Sequence, residues 1–282
     1  MRRRWLAALL LLATVAGGWE GHGQSGSGTA NDARPEFVEV PAGPFIMGAD
    51  PARDPMAFHN ERWSPAHGQG TVELPAFLIG RTEVTVNQFS AFAAARTSPV
   101  SPESLSGSPA HPVRFVTWPE ALAYCRWLQA AMAGSPQTRP RVSQLLRDGW
   151  KVSLPNEAQW EKAARGTDGR RFPWGAEPRR DRANFSGSGT TPVGQFPCPE
   201  CPYGLADMSG NVWEWTASPN QPYPYDPNDD RASLDADALW VIRGGHFGDD
   251  ARLVRTTARG AAEPGARRAF IGFRVALVPP AR

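Results

Sequence analysis

Sulfur is the scarcest reactive element in this 282-residue sequence: its three cysteines are Cys125 and the close pair in Cys198-Pro-Glu-Cys201. Thiolates serve as nucleophiles, redox partners and soft-metal ligands, so the positions of these three bound the chemistry open to the chain. The pair admits three readings. A disulfide is the expectation if the compartment is oxidising. A redox-active dithiol is the second, although no strand-then-helix context surrounds the pair. A zinc site is the third, and it would need a second pair of ligands that the sequence does not supply. Cys125 lies in Pro119-Glu-Ala-Leu-Ala-Tyr-Cys-Arg-Trp-Leu128, where Leu122, Cys125 and Leu128 recur on one helical face. A buried structural thiol is expected there. His246, Asp249 and Asp250 have the donor types of a non-haem iron triad. Neighbouring side chains on an extended segment point apart, however, so the two adjacent carboxylates are not expected to converge on one ion. His67 and His111 are too far apart for a metal motif and are expected in turns or the core.

These groups need a scaffold, and the composition describes one. Gly and Pro number 28 each, which predicts a loop-rich domain of short elements, while 11 tryptophans argue against disorder. A chain of this length can bury a core without help from metals or disulfides. Net charge is +2 with Lys and Arg spread along the chain, so nucleic acid is not an expected partner. Residues 37–48 alternate around a turn and predict a hairpin of short strands; residues 72–80 predict another strand region. Helices are predicted at 85–95 with Thr85 as cap, at 117–128 with a Thr117/Glu120 capping box, and at 154–164 with an Asn cap. Short strands are expected near 212–215, 240–244 and 270–277, and loops at 97–110 and 219–237.

The N-terminus opens on Met1 and three arginines, then a short apolar run and small residues. That is the pattern of a secretory signal peptide over residues 1–18, too short to span a bilayer comfortably. A polar, Gly/Ser-rich leader is expected over 19–35. The expectation is export to the periplasm or the extracellular space, with no transmembrane span in the mature protein. A lipid-modified N-terminus would need a Cys at the cleavage point, and the first is Cys125.

Eight segments, in order, carry a family resemblance. They are Val40-Pro-Ala-Gly-Pro-Phe-Ile-Met-Gly48, Glu83-Val-Thr-Val-Asn-Gln-Phe89, His111-Pro-Val-Arg-Phe-Val-Thr-Trp118 and Leu154-Pro-Asn-Glu-Ala-Gln-Trp-Glu161. Phe172-Pro-Trp-Gly175, Tyr203-Gly-Leu-Ala-Asp-Met-Ser-Gly-Asn-Val-Trp-Glu-Trp215, Arg243-Gly-Gly245 and Gly272-Phe-Arg274 follow. Together they resemble the formylglycine-generating enzyme, or sulfatase-modifying factor, domain. The resemblance implies an α+β fold: a single mixed domain over residues 36–280, C-type lectin-like, with little regular secondary structure.

The family's enzymes oxidise a sulfatase cysteine with Cu(I) held between two thiolates that follow Arg-Gly-Gly. Here those positions are Asp249 and Val254, and His246 replaces a family serine. Copper is therefore not expected, because a carboxylate and an aliphatic group cannot hold a soft monovalent ion. The resemblance further implies a calcium site at Asp207, Gly210, Val212 and Glu214. A second begins at Asn184 and Phe185, with its later ligands in a shortened 186–191 stretch that lacks an Asp. It also implies a substrate groove at Trp213 and His246, although Trp213 can equally fill the core. Three functions stay open: a calcium-stabilised binding or accessory module without oxidase activity, with a protein or peptide substrate or an envelope partner; a formylglycine-generating oxidase with altered ligands; or an iron-using oxidase of the same fold. In the iron enzymes a helical domain supplies the ligating histidines, and no such segment is visible in this sequence.

Overall fold

Three helices begin where a side chain can satisfy the free N–H groups of the first turn. In α1 (Val86–Ala94), Thr85 Oγ1 accepts from the Gln88 amide at 3.2 Å, and Gln88 Oε1 accepts from the Thr85 amide at 3.1 Å. In α2 (Trp118–Met132), Glu120 returns to the Thr117 amide at 3.0 Å, and Pro119 sits where no donor is needed. In the last of the three (Glu157–Arg165), Asn156 Oδ1 accepts from Gln159 N at 2.7 Å. Such caps contribute about 1 kcal/mol each. Between the second and third capped helices lies α3 (Pro140–Arg147), which the sequence reading missed because it buries only Val142 and Leu145. The helix at 157–165 is therefore α4.

The computed structural model describes residues 34–228 and 238–280. The expected signal peptide, most of the leader and part of the 219–237 loop lie outside these. Among the described residues no helix is long and apolar enough to cross a membrane.

Strands β1 (Phe37–Val40) and β2 (Gly43–Met47) are not hairpin partners, contrary to the sequence expectation. β1 pairs with β4 (Phe77–Gly80), and β2 pairs with β3 (Gly70–Leu74). The register is continuous, running from Phe37↔Gly80 through Val40↔Phe77 and Gly43↔Leu74 to Met47↔Gly70. Residues 37–47 and 70–80 thus form one long antiparallel ribbon, interrupted at Pro41-Ala42 and Pro75-Ala76. Proline donates no ladder hydrogen bond, so the ribbon breaks there and passes from one sheet to another.

The β1 half joins a four-stranded sheet with β5 (Lys151–Ser153) and β10 (Ala276–Val278), in the order β1-β4-β10-β5. A second four-stranded sheet holds β6 (Trp213–Pro219), β7 (Trp240–Arg243), β8 (Arg259–Ala262) and β9 (Ile271–Gly272), in the order β8-β7-β6-β9. β8 reads Arg-Gly-Ala-Ala and has no apolar alternation; its pairing with β7 makes it a strand. The result is a single mixed α+β domain.

The main core joins α1 and α2 to this second sheet. Trp118 and Trp240 stack with centroids 3.7 Å apart. Trp118 Nε1 donates to Thr216 O at 2.8 Å, and Trp215 Nε1 to Val116 O at 2.9 Å. Trp118 and Trp215 thus keep the indole hydrogen bond on burial, whereas Trp240 Nε1 is buried without a partner. Cys125 is fully buried in this core, as the helical spacing predicted.

Helix α4 differs from the others because all nine of its residues are buried, Glu157, Glu161 and Arg165 included. These three follow at spacings of four, on one face. Arg243 Nη2 donates to Glu161 Oε2 at 2.6 Å and Arg165 Nη1 to Glu161 Oε1 at 2.8 Å; the Arg259 guanidinium grips both oxygens of Glu157. Glu161 Oε1 also accepts from the Gly48 amide at 2.9 Å. Removing one partner from such a network leaves a buried charge uncompensated. Glu161→Ala should therefore lose about 3–5 kcal/mol, against less than about 0.5 kcal/mol for Glu73→Ala on an exposed strand position. Urea unfolding of the two variants checks this, and equal midpoints would refute it.

Candidate functional site

Strand β7 is followed by Gly244 and Gly245, both at positive φ (98° and 73°). A Cβ on Gly245 would lie 2.6 Å from a Val254 methyl and 2.8 Å from Leu253 O, so glycine is what lets the 246–254 loop fold back onto the strand end.

Within that loop His246 and Asp249 close a clasp. The Asp249 amide donates to His246 O at 3.0 Å, and the His246 amide donates to Asp249 Oδ2 at 3.0 Å. The Gly248 amide donates to His246 Nδ1 at 3.0 Å, which places the ring proton on Nε2, facing Asp249 Oδ1 at 3.1 Å. The ring stacks on Phe270, with centroids 4.8 Å apart, and meets the edge of Phe247. Both imidazole nitrogens are thus engaged inside their own loop. Asp250 turns away to accept from the Arg252 amide at 2.8 Å. The loop brings one carboxylate to His246 and not two, as the adjacency of the two Asp residues implied.

Val254, at the other family thiolate position, is fully buried among Phe172, Ala183 and Phe185. Trp213 is buried and belongs to the main core cluster with Ile242 and Ile271, the core reading that its sequence position also allowed. A cleft of about 520 Å³ lies elsewhere, lined by His59, Asn60, Arg62, Gln221, Tyr223 and Arg259. No thiol is offered to a ligand. Burial pushes the Cys125 thiol pKa far up, and Cys198 is disulfide-bonded to Cys201.

A second set of polar groups lies under the Asp207–Glu214 segment. Glu214 is held by Arg274 through Nε (2.6 Å) and Nη2 (2.7 Å), and by Trp160 Nε1 at 2.8 Å. Asp207 Oδ2 accepts from the Gly194 amide at 2.6 Å. Glu83 Oε1 accepts from Asn211 Nδ2 at 3.0 Å, and its buried Oε2 has no partner. Three buried carboxylates thus face one buried guanidinium. Burial, and then the neighbouring Asp207 charge, hold the Glu83 carboxyl well above the usual range; burial likewise raises Asp207.

This excess of negative charge fits a hard cation such as Ca²⁺. Glu214 is the poorest of the expected ligands, because Arg274 and Trp160 already engage both its oxygens. Of the expected side-chain ligands this leaves Asp207, and beside it Glu83, which the sequence reading had not singled out. Glu83 gave no signal of its own in the sequence, since Arg81, Thr82 and Thr85 flank it as they would an exposed position. Among the described residues no three acidic, His or Cys side chains form a ready metal cage, so carbonyls or water would complete the shell.

The Asn184/Phe185 site is arranged differently. Asn184 Nδ2 donates to Gly189 O at 3.0 Å and closes the shortened loop directly. The Arg180 guanidinium donates to the carbonyls of Phe185 and Ser186. A protein cation therefore already serves the oxygens that an ion would need.

Residues 24–278 match the model of the sulfatase-modifying factor enzyme 1-like domain. The chain is 30% identical over 288 residues to a hercynine oxygenase of Mycolicibacterium smegmatis, covering 85% of this chain and 60% of that protein. It is 30% identical over 243 residues to the formylglycine-generating enzyme of Thermomonospora curvata, covering 64% of this chain and 70% of the relative. The chain spans 56–60% of the length of the hercynine oxygenases it matches. Among solved structures, PvdO from Pseudomonas aeruginosa superposes with a TM-score of 0.70 at 27% identity, covering 88% of this chain and 96% of PvdO.

A carboxyl pKa raised in the folded state adds stability below its unfolded value, and that stability is lost as pH climbs through the folded value. In chelator, Glu83→Gln, which has no proton to lose, should therefore exceed the parent protein by about 1–3 kcal/mol near pH 8. The advantage should vanish near pH 5, at roughly the unfolded value. Unfolding midpoints at the two pH values test this; a pH-independent difference would refute it.

Proposed function

Since the chain belongs to the sulfatase-modifying factor enzyme family, we propose that it is a member without the copper-thiolate oxidase activity: an exported, calcium-stabilised binding or accessory module. One observation carries this reading. The two positions after Arg243-Gly-Gly245 that would grip Cu(I) hold an Asp clasped to His246 and a Val sealed in an apolar cluster. Cu(I) needs soft donors; an aliphatic side chain offers none, and the Asp249 oxygens are hard and already hydrogen-bonded. No thiol stands in for them, because Cys125 lies inside the core and the other two cysteines are joined.

What remains of the site suits binding. The His246/Phe270 stack and the 246–254 loop form a rigid, partly exposed surface where the family carries out its chemistry. A protein or peptide partner in the cell envelope fits that surface and the proposed export. Calcium, if bound, would neutralise the surplus charge of Asp207 and Glu83 and stiffen the turn that leads into β6; it would supply structural charge and take no part in a reaction.

A second reading, an oxygenase or formylglycine-generating oxidase, draws on the names of the relatives. It requires a metal held by groups other than those of the family's copper site.

Incubating the purified protein with Cu(I) and a peptide carrying the sulfatase motif, then measuring peptide mass, should show no conversion of cysteine to the aldehyde. Appearance of the aldehyde would overturn the proposal. Calcium added to the chelated protein should raise its melting temperature, and Glu83→Gln or Asp207→Ala should reduce that rise. An unchanged melting temperature in the parent protein would remove calcium from the reading.

A further inference from the structure

The Cys198–Cys201 disulfide does little for the fold. It spans a gap of two residues, so the loop entropy it removes from the unfolded chain is near the minimum for any disulfide. That gap is also closed without sulfur, since the Cys201 amide donates to Cys198 O at 3.1 Å. Side chains from three other segments hold the surrounding loop. Arg182 Nη1 donates to Pro197 O at 2.8 Å, Arg170 Nη1 to Glu200 O at 2.8 Å, and Arg81 Nη1 to Gly204 O at 2.6 Å. The Val193 amide fastens the start of the loop to Ala110 O at 2.9 Å, and the Gly194 amide ties it to Asp207. None of these bonds uses a sulfur atom.

The pair also sits where a reactant can reach it. Pro199 and Glu200 at the tip are exposed, and both cysteines are partly exposed. The Arg170 and Arg182 guanidiniums that hold the loop are themselves paired, with Asp168 and Glu200, so access rather than local charge is what the geometry offers the pair.

We propose that Cys198–Cys201 is a thiol–disulfide exchange site that takes two electrons from an external thiol donor, either a dithiol or two monothiols such as glutathione. A donor thiolate attacks one sulfur of the pair, the Cys198–Cys201 bond breaks, and a mixed disulfide forms. A second donor thiol attacks that intermediate, leaving the donor oxidised as a disulfide and the protein with two thiols. Two electrons and two protons pass from donor to protein. This role is independent of the oxidase chemistry considered above, and the 246–254 loop takes no part in it.

The test equilibrates the full chain in a series of reduced/oxidised glutathione buffers, traps free thiols with an alkylating reagent and reads their number by mass spectrometry. The pair should pass from oxidised to reduced within the series, and the reduced protein should keep its near-UV circular dichroism and cooperative unfolding. Cys125 should stay unlabelled in the native protein because it is fully buried. The single variants Cys198→Ser and Cys201→Ser should each fold and accumulate one glutathione adduct. A pair that stays oxidised across the whole series, a reduced protein that loses its tertiary signal, or single variants that form no adduct would each overturn the proposal.

Discussion

Helix α4 imposes the constraint on which the rest of the domain depends. It is buried on every side yet carries Glu157, Glu161 and Arg165, and charges in a low-dielectric interior must be matched where they stand. The matches come from far along the chain: Arg243 on β7, Arg259 on β8, and backbone oxygens at Ile46 and Gly48 that bind Arg165. A hydrophobic contact tolerates sliding, but a guanidinium gripping a carboxylate does not, because its donors form a planar fork. In a domain with few long elements, this network sets how the ribbon, the helix and the second sheet meet. A second buried cluster, Arg255 with Glu61 and Asp54, does the same for the 50–61 loop, and Arg274, bound to Glu214 and to Gly80 O, joins the two four-stranded sheets.

The same network shows that the scaffold is held by bonds that need no metal. Arg243 serves α4, and the two glycines after it serve the return of the 246–254 loop; neither task needs a metal. The loop keeps its path with Asp249 and Val254 because other bonds hold it. His246 and Asp249 clasp each other, Ser186 and Gly187 donate to the carbonyls of Asp249 and Phe247, and Val254 joins an apolar cluster. The bonds that position the loop are thus made without any metal or thiol, and a fold by itself does not fix a reaction.

The carboxylates under the Asp207–Glu214 turn stand apart from the α4 network. There the charges do not balance: Arg274 grips Glu214, and its single charge must also serve Glu83 and Asp207. A buried surplus of this kind must take up a proton or a cation. It is also the place where an ion would act on the fold, because Asp207 and Asn211, at positive φ, shape the turn that delivers Trp213 and Trp215 into the core.

Local signals were legible in the sequence by itself. Thr85/Gln88, Thr117/Glu120 and Asn156 announced their helices, since a cap involves residues only three apart. The spacing around Cys125 announced its burial, the short Cys198–Cys201 separation made a disulfide the expected reading, and the motif order announced the family. The absence of thiols after Arg243-Gly-Gly245 is a statement about residue type and needs no coordinates.

Pairings between distant segments were decided only by the tertiary structure. The ribbon that turns 37–47 away from a hairpin, the strand β8 with no pattern of its own, the inward indole of Trp213, the grip of Arg274 on Glu214 and the joining of Glu83 to Asp207 all link residues far apart in the chain. The physical reason is common to them. Burial and partner choice depend on what the rest of the chain brings within a few ångströms, and one-dimensional spacing encodes only the neighbours that a helix turn or a strand step supplies.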